Sequence, residues 1–170
     1  MKNGMKIISW LLAGWLVTSC SITYSFSGSA VDYEKVKSIS IQDFPNIAPR
    51  VYVPLAQQFT ESLRDKYTRQ TKLRVLSEGG DMNLEGEITG YTFSPLAVSG
   101  NSYASQTRLT IAIRVRFTNN ADPDKDFERT FTAQKEFDNT NLIDQVQDEL
   151  CDGIMKEIID QIFNETVATW

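Results

Sequence analysis

The sequence predicts an α+β fold, a two-layer sandwich with two helices packed on one face of a small mixed β-sheet. Residues 82–118 alternate between apolar and polar side chains along two strands joined by a turn. Two other segments repeat apolar residues every three or four positions, as amphipathic helices do. The predicted order is strand, helix, strand, hairpin, strand, helix. The two strands joined by the first helix should therefore be parallel, with a right-handed crossover.

Residues 1–19 have the pattern of a signal peptide. Lys2 and Lys6 precede an apolar run over residues 7–17, which is shorter than the roughly 20 apolar residues that a bilayer crossing needs. Leu16–Cys20 looks like a bacterial lipobox, whose cysteine receives a diacylglycerol and becomes the mature N-terminus. The alternative is an ordinary secretory signal with a coincidental cysteine. We predict lipidation of Cys20, in which each buried methylene contributes about 0.8 kcal/mol to the anchor.

Residues 20–33 are predicted to be a lipid-anchored tether, because Ser21–Tyr33 is mostly polar, with an aromatic patch at Tyr24–Phe26. Residues 34–170 are predicted to form one domain, which is long enough for a core of its own. No acidic run follows Cys20 closely. In some bacterial groups such a run marks export to the cell surface, so its absence favours the periplasmic side.

The first half of the domain should hold a strand, a helix and a second strand. Val36–Phe44 is predicted to be a strand, with Ile39 and Ile41 on one face. A helix of about 16 residues should begin at Pro54, since proline suits the first helical turn. Its buried stripe is predicted to be Leu55, Phe59, Leu63 and Tyr67. A short strand is predicted at Leu73–Leu76.

The central hairpin should pair Met82–Phe93 with residues 107–117, through a turn at Ser99–Ser102. The second strand places Thr107, Leu109, Ile111, Ile113, Val115 and Phe117 on one face and Arg108, Thr110, Ala112, Arg114 and Arg116 on the other. The first places Leu84, Gly86, Ile88 and Gly90 opposite Glu85, Glu87, Thr89, Tyr91 and Phe93. Strand glycines permit a bulge or a close approach, and we expect a helix to pack closely over these two.

The last part should be a turn at Asn119–Asp126, an edge strand at Phe127–Phe137 and a final helix. Arg129 and Lys135 interrupt the apolar side of that strand, which indicates partial cover. Residues 139–141 offer side-chain oxygens that can cap the helix. Its apolar stripe is predicted to be Ile143, Val146, Leu150, Ile154, Ile158 and Ile162.

The composition argues against catalysis and nucleic-acid binding. The chain has no histidine, which removes the commonest general base and metal ligand. It lacks a nucleophile elbow, a phosphate loop and cysteine pairs at metal-ligand spacing. Its net charge is −5, whereas nucleic-acid binding needs a basic surface. We therefore expect no catalytic residue, no metal and no cofactor apart from the acyl group on Cys20.

Three side-chain groups leave alternatives open. Glu85 and Glu87 are interpreted as a solvated strand face, the alternative being a carboxylate hydrolase that needs a concave site around them. Arg108, Arg114 and Arg116 could bind phosphates. The alternative is a solvent-facing surface that pairs them with Glu85, Glu87, Glu128 and Glu136. The thiol of Cys151 is interpreted as a small buried hydrophobe. Acylation of Cys20 would leave it without a disulfide partner.

Four stretches together resemble the LptE family in its Bacteroidetes-type form: the lipobox, Tyr24–Gly28, Ile39–Asn46 and Glu85–Tyr91. LptE is the lipopolysaccharide-assembly lipoprotein of the outer membrane. The resemblance implies a non-enzymatic lipoprotein anchored on the periplasmic side of the outer membrane. There it would be the partner and plug of the LptD β-barrel, and assist lipopolysaccharide transport into the outer leaflet.

Arg108, Arg114 and Arg116 are our candidate lipopolysaccharide-binding residues. This prediction rests on the charge pattern of the strand and not on the family resemblance. The alternative function is a lipid-anchored periplasmic scaffold or binding module of another envelope complex.

Overall fold

The computed structural model describes residues 31–50, 52–96, 106–140 and 142–167. The elements in chain order are β1 (Ser38–Ile41), α1 (Pro54–Gln70), β2 (Arg74–Leu76), β3 (Met82–Pro95), β4 (Gln106–Asn119), β5 (Phe127–Asp138) and α2 (Ile143–Val167). A short 3-10 turn at Pro123–Lys125 joins β4 to β5. The predicted α+β architecture is confirmed. The signal peptide, Cys20, most of the tether and the hairpin turn lie outside the described residues and stay predictions.

The strands form one mixed sheet in the order β2-β1-β3-β4-β5. Strand β1 is parallel to both of its neighbours, with Ile39 beside Val75 on one side and Met82 on the other. The β3–β4 and β4–β5 pairs are antiparallel. The helix-linked strands β1 and β2 are therefore parallel, as predicted. β1 is shorter than predicted, but the chain after it still follows β3, through a hydrogen bond from Gln42 N to Leu84 O at 3.1 Å.

The core lies between the sheet and the two helices. The predicted inward side chains of β4 are buried from Leu109 to Phe117, and the predicted stripe of α1 is buried throughout. Full burial of one such apolar side chain stabilises the fold by about 1.5–3 kcal/mol. In α2 only the second half of the predicted stripe is fully buried, and Cys151, Met155 and Ile159 complete it. Neither helix combines the length and the apolar composition of a membrane-crossing segment.

The predicted faces of β3 are wrong beyond Ile88. The register with β4 shifts between Ile88 and Gly90, so that Gly90 lies beside Ala112 and Tyr91 beside Ile111. A bulge adds one residue to a strand and turns every later side chain to the opposite face. Tyr91 is consequently only 3% exposed, on the core side.

The two strand glycines therefore lie on opposite faces, and no helix covers both. A Cβ on Gly86 would lie 2.7 Å from Phe44 Cε1, so a phenylalanine ring needs the space that we assigned to a helix. A Cβ on Gly90 would lie 3.1 Å from the Cβ of Ala112. The Phe44 ring packs edge-on against Phe59 of α1, with ring centroids 5.2 Å apart. The ring thus links the helix to the sheet.

Candidate functional surface

The candidate surface is the face of β3, β4 and β5 that points away from the helices, here called the outer face. Its side chains are polar or small, and most are at least partly exposed. Cross-strand pairing places them in rows, because directly opposite residues of antiparallel strands share a face. The rows join Glu85, Arg116 and Glu128; Glu87, Arg114 and Thr130; Gly90, Ala112 and Thr132; Thr92, Thr110 and Gln134; and Ser94, Arg108 and Glu136.

Arg116 lies between two carboxylates. Its Nη1 lies 3.2 Å from Glu85 Oε1, and its Nη2 lies 2.9 Å from Glu128 Oε2. The hydrogen bond to Glu128, followed by the charges of Glu128 and Glu85, raises the pKa of Arg116. The guanidinium bridges β3 to β5 across β4.

The other two arginines are also paired. Arg114 donates a hydrogen bond to Glu87, and Arg108 Nη2 lies 2.7 Å from Glu136 Oε1. The three arginines are thus paired with the four glutamates at positions 85, 87, 128 and 136. This is the arrangement of the alternative interpretation, a solvent-facing surface of ion pairs. The row is also divided, because Arg108 and Arg114 are six residues apart on one strand, which is about 20 Å. Arg114 and Arg116 form one basic group, and Arg108 stands apart from them.

A shallow groove of about 400 Å³ runs past Glu85 and Glu87. Its other lining residues are Gln42, Asp43, Pro45, Gly86, Arg114, Arg116 and Glu128. The concave site that a carboxylate hydrolase needs is therefore present in outline. However, Glu85 and Glu87 are each engaged by an arginine, and the lining offers no hydroxyl, thiol or imidazole. The lining therefore fits the binding of a polar partner better than it fits hydrolysis.

The sequence analysis did not predict that the residues after β1 line this groove. Residues Gln42 and Asp43 meet the β3 carboxylates because β1 runs parallel to β3 and the chain continues alongside it. Asp43 also pairs with Arg64 of α1 at 3.0 Å. Only the long-range pairing of two strands brings these segments together, so no local pattern could have indicated it.

Cys151 lies in α2 and is fully buried, as predicted. Its Sγ is 3.8 Å from the hydroxyl of Tyr91, which in turn accepts a hydrogen bond from Gln147 Nε2 at 2.6 Å. Burial raises the pKa of the thiol to about 11. A neutral thiol at this depth packs as an apolar group and is a poor nucleophile.

A protein-family model described as "LptE: Lipopolysaccharide-assembly" matches residues 36–166, from just before β1 almost to the end of α2. The chain belongs to the LptE family. This membership confirms the resemblance that the sequence motifs indicated, and it assigns the domain to lipopolysaccharide assembly. The search of curated proteins found no match to this LptE-family chain.

Several solved structures are similar to this LptE-family domain. A minor lipoprotein from Acinetobacter baumannii has 15% identity and a TM-score of 0.48, over 76% of this chain and 91% of that one. Lipoprotein GNA1162 from Neisseria meningitidis has 15% identity and a TM-score of 0.42, over 75% and 99%. An uncharacterized lipoprotein B from Nitrosomonas europaea has 10% identity and a TM-score of 0.46, over 75% and 79%.

Proposed function

We propose that this chain is a non-enzymatic outer-membrane lipoprotein, anchored on the periplasmic side by an acylated Cys20. In this proposal it is the partner and plug of an LptD-type β-barrel and assists lipopolysaccharide transport and insertion into the outer leaflet. The observation that carries the proposal is the family match over residues 36–166. The lipobox at Leu16–Cys20 supports the anchor.

The outer face has the chemistry that a plug needs. The lumen of a large outer-membrane barrel is polar, and the outer face offers hydroxyls, amides and charged groups on a rigid sheet. Its seven charged groups, four glutamates and three arginines, nearly cancel. Such a surface can exchange its own ion pairs for pairs with lumen side chains, because exposed ion pairs contribute only about 0–1 kcal/mol each.

The same exchange makes Arg114 and Arg116 candidates for contact with lipopolysaccharide phosphates. Their side chains are 52% and 57% exposed, so an incoming anion can reach them. A guanidinium binds phosphate with two parallel hydrogen bonds. The phosphate must displace Glu87, Glu85 or Glu128 from its arginine. We therefore propose a competitive contact, in which the glutamates hold the arginines in position and weaken anion binding.

The proposal is tested by purifying the tagged protein from detergent-extracted membranes and identifying its companions by mass spectrometry. We expect one large β-barrel protein in near-equal amount. Thr132→Lys places a charge in the middle row of the outer face, on β5, and should lower the barrel yield several-fold. Thr68→Lys makes the same change on an exposed position of α1 and should leave the yield unchanged.

The other outcomes are equally informative. Recovery of a different envelope complex without a barrel would support the scaffold function and overturn the plug proposal. An equal loss of barrel from both lysine variants would overturn the assignment of the outer face. A protein that leaves the membrane fraction without detergent, with an unmodified Cys20, would overturn the lipid anchor.

A further inference from the structure

Strand β5 forms a long edge of the sheet. It pairs with β4 on one side, and no strand within the described ranges pairs with its other side. It has 12 residues, whereas β2 at the opposite edge has three. The N–H and C=O groups along a long edge attract another strand. Proteins prevent such pairing with a cover or with charged side chains along the edge, so the charges of β5 decide whether this edge is protected.

The carboxylates of β5 that lie on the outer face are directed toward β4. Glu128 Oε2 lies 2.9 Å from Arg116 Nη2, and Glu136 Oε1 lies 2.7 Å from Arg108 Nη2. Both arginines belong to β4, so these two ion pairs hold the glutamates over the sheet rather than across its edge.

The cations of β5 on the opposite face are directed toward α2. Arg129 Nη1 lies 2.6 Å from Glu165 Oε1. Lys135 lies against α2 as well, with its Cε 3.2 Å from the position of a Cβ on Gly153. The charged side chains from Glu128 to Lys135 therefore leave the edge itself unprotected.

The main-chain groups at this edge belong to the even-numbered residues of β5. At the ends of β4, Leu96 N donates to Gln106 O at 2.8 Å and Asn120 N donates to Asp81 O at 3.0 Å. Even-numbered residues of β4 thus bond toward β3, and its odd-numbered residues bond toward β5. The odd-numbered residues of β4 lie opposite odd-numbered residues of β5. The N–H and C=O groups of Thr130, Thr132 and their even-numbered neighbours consequently point away from β4.

The centre of β5 has the composition of a strand that pairs readily. Residues 130–134 are Thr-Phe-Thr-Ala-Gln, without a charge or a proline, and threonine and phenylalanine favour strands. Phe131 and Ala133 are buried under α2, whereas Thr130, Thr132 and Gln134 are exposed. Because the charges on either side are already paired, an incoming strand needs no charge of its own at the centre. The centre of β5 itself meets this requirement.

We propose that β5 pairs with β5 of a second copy of this chain, antiparallel and about a two-fold axis. The interface uses the same segment in both copies, as a two-fold dimer requires. The axis stands perpendicular to the sheet, so both outer faces lie on one side and all four helices on the other. The product is one sheet of ten strands, five from each copy. This pairing does not depend on the proposed function.

The charges of β5 restrict the register of the pair. An axis at Thr132 would place Glu128 opposite Glu136 and Arg129 opposite Lys135 of the second copy. Like charges directly opposite one another destabilise a strand pair, so this register is excluded.

Two other registers avoid like charges. An axis at Phe131 pairs residues 127–135 with their copies and places Thr130 opposite Thr132. An axis at Gln134 pairs residues 130–138 and places Thr132 opposite Glu136. No like charges are directly opposite in either, and both use the outward N–H of Thr132 as a donor.

The test is sedimentation equilibrium of the full mature chain in a detergent whose density matches the solvent. We expect an equilibrium between monomer and dimer. Thr132→Pro removes an N–H that points to the edge and none that bonds to β4. It should raise the dissociation constant about tenfold or more, because the bond is lost in both copies. Thr132→Val removes the same hydroxyl but keeps the N–H, and should change the constant less than about twofold.

Amide hydrogen exchange of the wild type decides alone if Thr132→Pro does not fold. The amides of Thr130, Thr132 and Gln134 should exchange about tenfold or more slowly at a protein concentration that favours the dimer than at one that favours the monomer. The amides of Ile111 and Ile113 in the centre of the sheet are the internal control and should not respond to concentration.

Three results would overturn the proposal. The first is a wild type that stays monomeric at every concentration. The second is a dimer that Thr132→Pro and Thr132→Val affect equally, since its contact would then not depend on the edge N–H. The third is protection of the outward β5 amides at every concentration, which would mean that another segment or another partner covers this edge.

Discussion

Tyr91 lies opposite Ile111 in the β3–β4 ladder, on the face that the helices cover, whereas Glu85 lies opposite Arg116 on the outer face. Residues 85 and 91 would share a face in an unbroken strand, because they are an even number of positions apart. The bulge between Ile88 and Gly90 separates them. One strand thereby supplies an aromatic ring to the core at one end and a carboxylate to the surface at the other.

Replacement of Tyr91 by alanine should lower the free energy of unfolding by about 3–5 kcal/mol, measured by urea denaturation. The ring is 3% exposed, and its hydroxyl accepts the hydrogen bond from Gln147. Thr92→Ala is the control, because Thr92 is exposed on the outer face, where a substitution changes stability by about 0.5 kcal/mol or less. A larger loss for Thr92→Ala than for Tyr91→Ala would mean that Thr92 faces the helices, as it would in a strand β3 without the bulge.

The sequence predicted the parts of the fold that depend on an unbroken period. The alternation along β4 and the four-residue spacing in α1 each continue without interruption, so every apolar residue that was predicted to face the core there is buried. The bulge in β3 breaks the period, and Gly90 was its only local sign. The groove beside Glu85 depends on the parallel pairing of β1 with β3, a contact between distant segments that local patterns do not encode.

Gly86→Ala should destabilise the domain by about 1–3 kcal/mol, the usual cost of an overpacked site. The added Cβ would lie 2.7 Å from Phe44 Cε1 and also press on the carbonyl of Arg114, which cannot move without breaking the ladder. Gly90→Ala is the matched control, since its Cβ would meet only Ala112, with the nearest atom 3.1 Å away. Thermal unfolding of both variants measures the difference. Equal losses would contradict the close packing of Phe44 and the Arg114 carbonyl around Gly86.

Asp81→Asn should lower the free energy of unfolding by about 1–3 kcal/mol at neutral pH, because hydrogen bonds to a charged acceptor are lost. The carboxylate accepts hydrogen bonds from Lys37 N at 2.9 Å, Ser38 N at 3.0 Å and Ser38 Oγ at 2.9 Å. The bond from Lys37, followed by those from Ser38, lowers the pKa of Asp81. Its stabilisation is therefore complete above the ordinary aspartate pKa and is lost as the pH falls through the lowered value.

The stability difference between the wild type and Asp81→Asn should accordingly shrink in acid, which urea denaturation from pH 7 down to pH 2 would measure. Asp65→Asn is the control, since the exposed i,i+4 pair of Asp65 with Arg69 contributes about 0.3–0.5 kcal/mol. A difference that stays constant over the whole pH range would contradict the role of the Asp81 charge.

The thiol of Cys151 should react with alkylating reagents only when the domain opens, because burial keeps it neutral and raises its pKa to about 11. The unfolded chain loses this proton at lower pH than the folded one. The stability of the wild type should therefore fall as the pH rises from about 9 toward 11. Cys151→Ala should show a flatter decline over the same range. Labelling of the native thiol at pH 8 as fast as that of a free peptide cysteine would contradict this.

Removal of one carboxylate should strengthen the binding of lipopolysaccharide, whereas removal of its arginine should weaken it. In the wild type, Arg116 Nη2 lies 2.9 Å from Glu128 Oε2. Glu128→Gln removes this negative charge, so a phosphate no longer competes with it for the guanidinium. Arg116→Gln removes the cation itself. We expect changes of roughly fivefold in opposite directions, the equivalent of about 1 kcal/mol, in equilibrium binding at fixed ionic strength.

Lys66→Gln is the control, because its ion pair with Asp160 at 2.8 Å joins the two helices on the other side of the molecule. The replacement of all three outer-face arginines by glutamate tests the same contact more severely, and unchanged binding in that variant would exclude a role for the arginines. The opposite directions for Glu128→Gln and Arg116→Gln distinguish a specific competition from loss of structure. A variant that unfolds loses binding whichever charge it lacks, so a gain for Glu128→Gln cannot come from loss of structure.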